Sequence, residues 1–214
     1  RMYKPILFNT DMVNAIQSGQ KTVTRRAIRP RYRADEYSWS ICRRTIDNSI
    51  SHISYMDGDG AMTRGMEPPC RIGDVLYVRE TWARIPGASS KGGYTYKYRA
   101  SEEGKYWDRV EGFKWKPSIH MPKEAARIWL KVTNVGVERL QDMTIDDALH
   151  EGADISQGFK DFIEIWDSTV NAKDLGQYGW EANPWVWVIE FKKTETPHQA
   201  HGFCKPIAGM SGQL

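Results

Sequence analysis

The sequence predicts a mixed α/β fold of the α+β kind: a small β-barrel with flanking helices and long inserted loops. Three observations point there. Short strand-like segments outnumber helical ones, and the helices do not alternate with strands as βαβ units would require. A strong apolar strand, WVWVIEFKK at 185–193, closes the patterned part of the chain. A doubly wound parallel sheet needs the alternation that is missing, and no internal repeat is visible.

The elements follow in chain order. Thr10 caps a helix whose apolar stripe is Met12, Val13 and Ile16, and Gly19 ends it in the left-handed conformation. Lys21–Arg26 is rich in β-branched residues and reads as a strand. Residues 27–70 lack clear periodicity and read as an insertion closed by Pro68-Pro69. Gly73-Asp74 turn into a strand over Val75–Arg79. The stretch PGASSKGG (86–93) is a flexible loop, and Tyr94, Tyr96 and Tyr98 alternate with Thr95, Lys97 and Arg99 along a half-exposed strand. Irregular sequence continues to 126. Ile128, Leu130 and Val132 then alternate with Trp129, Lys131 and Thr133 in a strand reaching about Val137. Thr144 with Asp147 makes a capping box for a short helix that Gly152 ends. Phe159, Phe162, Ile163 and Trp166 form one face of an amphipathic helix over 157–168. One domain thus spans 1–194, with insertions at about 27–70 and 86–126, and 195–214 reads as a disordered tail.

Composition narrows the class. The chain has 214 residues, 40% hydrophobic and 27% charged, as an ordinary globular domain has. No apolar run is long enough to span a bilayer, so no membrane partner is expected. The first apolar stretch, Pro5 to Phe8, has no cleavage pattern after it and predicts no signal peptide. Cys42, Cys70 and Cys204 are odd in number and far apart, which predicts no disulfide framework and a reducing, cytoplasmic setting. The net charge of +3 is uneven: residues 21–44 carry eight Lys or Arg against Asp35 and Glu36, leaving the rest of the chain negative. Such a segment suits a phosphate-bearing partner, a nucleotide or RNA/DNA, and also fits a solvated arginine-rich loop. No metal is expected, because His150-Glu151 is not HExxH and His198 and His201 stand alone in the tail. SKGG lacks the phosphate-loop frame, and no cofactor is implied.

The segment SGQKTVTRR (18–26) concentrates three cations and two threonines. Together with IGDVLYV, DDALHEGA and WVWVIEFKK, in that order, it resembles the ASCH domain, a PUA-like β-barrel family associated with RNA. Gly19, Lys21 and Arg26 match the family's Gly-x-Lys-x-x-x-x-Arg segment, and YVRETWA and WKPSIHMPKEAARI resemble larger ASCH proteins of phages and prophages. The matched pieces cover about a third of the chain. One bacterial branch is an amidohydrolase that deacetylates N4-acetylcytidine through a lysine, a threonine and a glutamate. The resemblance places these at Lys21, Thr24 and Glu151, with Arg26 as a phosphate or base contact. It implies a nucleoside- or nucleic-acid-binding protein, with deacylation of N4-acetylcytidine-type substrates as its sharpest form. The alternatives are a non-catalytic RNA- or DNA-binding module and a ribonuclease.

The chemistry makes demands of its own. A threonine hydroxyl needs a base, and a lysine serves only if burial and cationic neighbours such as Arg25 and Arg26 depress its pKa. On a regular strand Lys21 and Thr24 would point to opposite faces, so they converge only if the strand starts after Lys21 or bulges. By the same parity at most one of Arg25 and Arg26 lines a given pocket. Glu80 beside Trp82 reads as a pocket acid or a strand-end charge. Lys116, Ser118 and His120 alternate along an extended run, either as a ligand-contact loop or as a connector stiffened by Pro117 and Pro122. Of the nine tryptophans, Trp166 and Trp187 read as core, whereas Trp39, Trp82 and Trp115 lie near cations, where rings can stack on bases or anchor loops.

Overall fold

The two segments with the longest alternating patterns become the two longest strands, antiparallel neighbours inside a five-stranded sheet. The computed structural model describes residues 3–29, 39–45, 48–56, 62–86 and 93–196. Its strands are β1 (Tyr3–Leu7), β2 (Val23–Ala27), β3 (Trp39–Arg43), β4 (Ile50–Met56), β5 (Met62–Met66), β6 (Val75–Arg79), β7 (Trp82–Pro86), β8 (Tyr94–Tyr98), β9 (Trp129–Arg139) and β10 (Trp185–Thr194). The α-helices are α1 (Thr10–Ser18), α2 (Gly104–Trp107), α3 (Ile145–His150), α4 (Lys160–Thr169) and α5 (Leu175–Tyr178), with short 3-10 turns between them.

The main sheet runs β1-β6-β9-β10-β2, with β1 and β6 parallel and the other pairs antiparallel. The mixed α/β class holds, and among the described residues the strands do not close into the expected small barrel. Among the described residues no backbone pairing joins β1 to β2. Pro5 lacks a donor and suits an unpaired edge. The carbonyl of Leu7 is instead taken by the Arg26 guanidinium at 2.8 Å.

Side chains alternate across β10, so its two faces bury two cores. Trp187, Ile189 and Phe191 join Phe8, Val13, Ile16 and Leu130 on one side. Val186 joins Leu140, Ala148, Phe162 and Trp166 on the other, where α3 and α4 pack. Trp166 and Trp187 are both core, as their patterns imply. Within 27–70 lies a three-stranded antiparallel sheet, β3-β4-β5, tied to the first core through Ile50 and Ile53. Its period is hidden in sequence by register shifts at Cys42/Arg43 and Ile53/Ser54. β7 and β8 form a hairpin. Residues 31, 33, 35 and 36 of the basic segment, the loop at 87–92, the tail from 197 and the side chain of Trp39 lie outside the described residues. Among the described residues no helix is long and apolar enough to cross a membrane.

The cap of α1 differs from the sequence reading. Asn9, not Thr10, adopts the extended cap conformation, and its side chain accepts from the Met12 amide at 2.8 Å. Both residues are good caps, and the backbone turn decides between them. Gly19 does end the helix at φ 84°. Asn9→Ala is therefore expected to cost about 1 kcal/mol in urea unfolding. Thr10→Ala, inside the first turn, should change stability by less than half of that.

Candidate functional site

The segment after α1 is sewn to α3 before any side chain is considered. Beyond Gly19, the Lys21 amide donates to the Ala15 carbonyl at 2.9 Å and the Thr22 amide to His150 at 2.9 Å. The Gln20 side chain donates to the Ala153 carbonyl at 3.2 Å. The strand starts only at Val23, so Lys21 lies outside the pleat and the parity objection to its meeting Thr24 falls away. On the other side, the Thr144–Asp147 capping box starts α3 and Glu151 caps its end. Gly152 then turns the chain at φ 94°. A Cβ there would stand 2.8 Å from that of Ala15 and 3.5 Å from that of Lys21, so only glycine lets this turn lie flat on α1.

This docking buries a charge network. The Lys21 side chain is fully enclosed, and its Nζ donates to Glu151 Oε2 at 2.5 Å and to the Glu151 carbonyl at 2.7 Å. Arg25, also buried, reaches Glu151 Oε1 at 3.4 Å, Glu138 at 2.7 Å and Asp147 at 3.5 Å. Burial pushes the Lys21 pKa below its ordinary value. Glu151 opposes that shift, while Arg26 and Arg25 add to it. For Arg25 burial acts in the same sense, but Glu151, Glu138 and Asp147 outweigh it and hold the guanidinium more firmly charged. Asp147 titrates low: its burial is outweighed by hydrogen bonds from Thr144 and by Arg25. The Phe8 ring lies under both Lys21 Nζ, at 5.6 Å, and the Arg26 guanidinium, at 5.4 Å.

Thr24, buried, lines a cavity of about 20 Å³ with Glu151, Arg25, Arg26, Phe162 and Trp166. Such a space seats a single water. Both arginines line it, against the parity expectation, although Arg25 pairs with Val188 on the α4 face and Arg26 with Trp187 on the other. A groove of about 270 Å³ opens on the other side of Arg26, between the edges β1 and β2, walled by Ile6, Leu7, Leu76 and Ile189. Glu151 thus ties Lys21, with which it pairs, to the cavity it shares with Thr24, and Arg26 lies between that cavity and the groove.

The other candidates are placed differently. Glu80 is 1% exposed and bound by both arms of Arg127 at 2.9 Å, so its carboxylate is occupied. Burial still raises its pKa, against the pull of Arg127. Trp82 is core beside Met121 and Ala125, with Tyr96 at 5.8 Å and Lys116 Nζ 5.2 Å over its ring. Lys116, Ser118 and His120 do not share an extended face. Lys116 pairs with the backbone of Trp82, and 118–120 coils into a 3-10 turn after Pro117, with the His120 amide on the Pro117 carbonyl at 3.1 Å. Trp115 donates its indole N–H to Asp108 at 2.8 Å. Among the described residues of the basic segment, Lys21 and Arg25 point inward and Arg29 pairs with Asp174 at 3.3 Å, so these cations do not share one surface.

The acids Glu138 and Asp147 were not foreseen as partners of Arg25. Asp147 was visible as a capping residue. Glu138 was not, because its approach depends on a register in which Arg25 pairs with Val188 and Val188 with Gly136. Among the described residues no group of His, Cys, Asp or Glu is arranged to hold a metal ion. Comparison with protein-family models, with characterised proteins and with solved structures finds no match.

Glu151→Gln removes the charge that neutralises Lys21 and Arg25 and is expected to cost about 3–5 kcal/mol of unfolding free energy. Lys21→Met in that background should recover part of the loss in a double-mutant cycle. The sign with pH follows from the lowered Lys21 pKa. Between that value and 10.5 the unfolded chain binds more protons, so wild type gains stability relative to Lys21→Met as pH rises through this window.

Proposed function

We propose that this protein is an ASCH-type amidohydrolase that deacylates an N4-acylated cytidine. The five-stranded sheet would be the PUA-like core, with β1 and β2 as its open seam, and the setting a reducing cytoplasm. The observation that carries the reading is the enclosed Lys21–Glu151 pair beside Thr24, at a cavity bounded by two guanidinium groups. An amine whose pKa is pushed down by burial and by like charge is the kind that can accept a proton from a hydroxyl.

The reaction follows from these roles. Neutral Lys21 takes the proton of Thr24 as Oγ1 attacks the acyl carbonyl, forming a C–O bond. Arg26 offers N–H donors to the oxyanion. The C–N4 bond breaks as the proton held by the Lys21–Glu151 pair passes to the leaving N4. Water then adds to the threonyl ester, its proton going to Lys21. The ester bond breaks, the carboxylate departs and the hydroxyl is restored.

A second reading, a nucleoside- or nucleic-acid-binding module without chemistry, is favoured by the size of the cavity at Thr24, which seats a water and not a base. Acetate release from N4-acetylcytidine separates the two. Thr24→Val should abolish turnover while ligand binding persists, and Lys21→Arg should lower it about 10²–10⁴-fold, since a guanidinium cannot accept the proton. Because the active amine is the neutral one, the rate should rise with pH through a midpoint below 10.5. Release that survives both substitutions sinks the catalytic pair, and a wild type without release leaves the binding module.

A further inference from the structure

The segment 93–120 takes no part in the Lys21 site, yet its composition is unusual. Seven of its 28 residues are aromatic, about twice the chain's 12%, and six Lys or Arg are interleaved with them against four carboxylates. The structure gathers the rings. Tyr106 and Trp107 meet at 5.3 Å, Trp107 and Phe113 at 4.7 Å, and Phe113 and Trp115 at 5.0 Å. Tyr106 is 64% exposed, and the other three are half-buried, so the cluster presents faces or edges to solvent. Contiguous exposed apolar surface rimmed by polar residues is the kind that marks an interaction site.

The charges around the rings sort into two groups. Lys97 and Arg99 are engaged by Glu103 and Asp108. Lys105, Arg109 and Lys114 are exposed and form no ion pair with a described residue, and the acids exposed near them are Glu102 and Glu111. The turn of α2 divides two environments. Tyr106 and Trp107 belong to the ring cluster. Lys105 and Asp108 line a polar cleft of about 880 Å³ with Glu102 and, from α1, Asp11 and Gln17, and its three carboxylates make it no seat for a polyanion. On the other side, half-open rings beside unpaired cations fit a flexible polyanion with planar groups. Duplex bases are already stacked and hidden from such rings, whereas single-stranded bases are free to add to them.

We propose that the α2 turn and the Trp107–Phe113–Trp115 ring cluster form a binding surface for single-stranded nucleic acid, with bases on the open ring faces and the backbone along Lys105, Arg109 and Lys114. This surface is separate from the Lys21 site and does not depend on the amide-hydrolysis reading.

The test is fluorescence anisotropy with a labelled 12-nucleotide single-stranded RNA and the same sequence as a duplex, over a range of salt. The full chain should bind the single strand at least tenfold tighter than the duplex, with quenching of tryptophan emission and an affinity that falls as salt rises. Tyr106→Ala, at an exposed ring, should weaken binding about tenfold, and Lys105→Glu with Arg109→Glu at least as much while flattening the salt slope. Trp107→Ala should weaken it further, and because that ring is half-buried its unfolding curve is measured alongside. Neither surface variant should alter acetate release from free N4-acetylcytidine, so loss of RNA binding and loss of turnover are read separately. Equal affinity for single strand and duplex, indifference to Tyr106→Ala and the charge reversals, or no RNA binding with capture of a protein instead, would each overturn the proposal.

Discussion

The ammonium of Lys21 has no access to water, and the local architecture is arranged around that fact. An ammonium taken from water into a protein interior costs several kcal/mol unless it is closely paired. Here the neutralising carboxylate comes from residue 151, and the same Glu151 supplies its main-chain carbonyl as a second acceptor. That arrangement requires α3 to end against α1, which in turn requires Gly152 to turn without a Cβ. One oxygen of Glu151 faces the lysine and the other faces Arg25. Glu138 and Asp147, at 29% and 37% exposure, complete the balance from the rim. The interior members of the network are therefore fixed, and the members that answer to solvent are at its edge.

Local rules made part of this readable. The capping box at Thr144 and Asp147, the glycine stops at 19 and 152 and the strand patterns of β6, β8, β9 and β10 each rest on neighbours in sequence, and these elements are found in the structure. Lys21, Thr24 and Glu151 could be nominated together only through motif resemblance, since no periodicity links positions 130 residues apart. β1 escaped notice because five residues including a proline make a weak pattern, and its parallel partner β6 lies far along the chain. The extended reading of 116–120 failed where Pro117 set up a turn that alternation cannot anticipate. The role of Arg25 was hidden for a different reason. Its carboxylate partners lie on β9 and α3, and only the assembled register brings them within reach.

The Glu80–Arg127 pair is a useful contrast. It too is a buried carboxylate with a cation, but it is bidentate, and Arg127 also donates to the carbonyl of Ala100. The pair links the end of β6 to the segments that follow β8. The Glu151 pair differs in opening on a void beside a hydroxyl. Burial of charge is common to both, and only the space next to it separates a strut from a candidate reaction centre.

The span of 130 residues between Lys21 and Glu151 also has a kinetic meaning. Contacts between residues distant in sequence form late, because the loop they close must be ordered first. The segment 19–22 depends on α3, which follows β9, and its strand β2 pairs with β10 near the end of the described chain. The nascent polypeptide must therefore carry Lys21 with no permanent counter-charge until most of the domain has emerged and collapsed. The pocket is thus a record of completed folding: a chain halted partway, or opened locally at the β2 edge, has an ordinary solvated lysine at position 21 and no site at all.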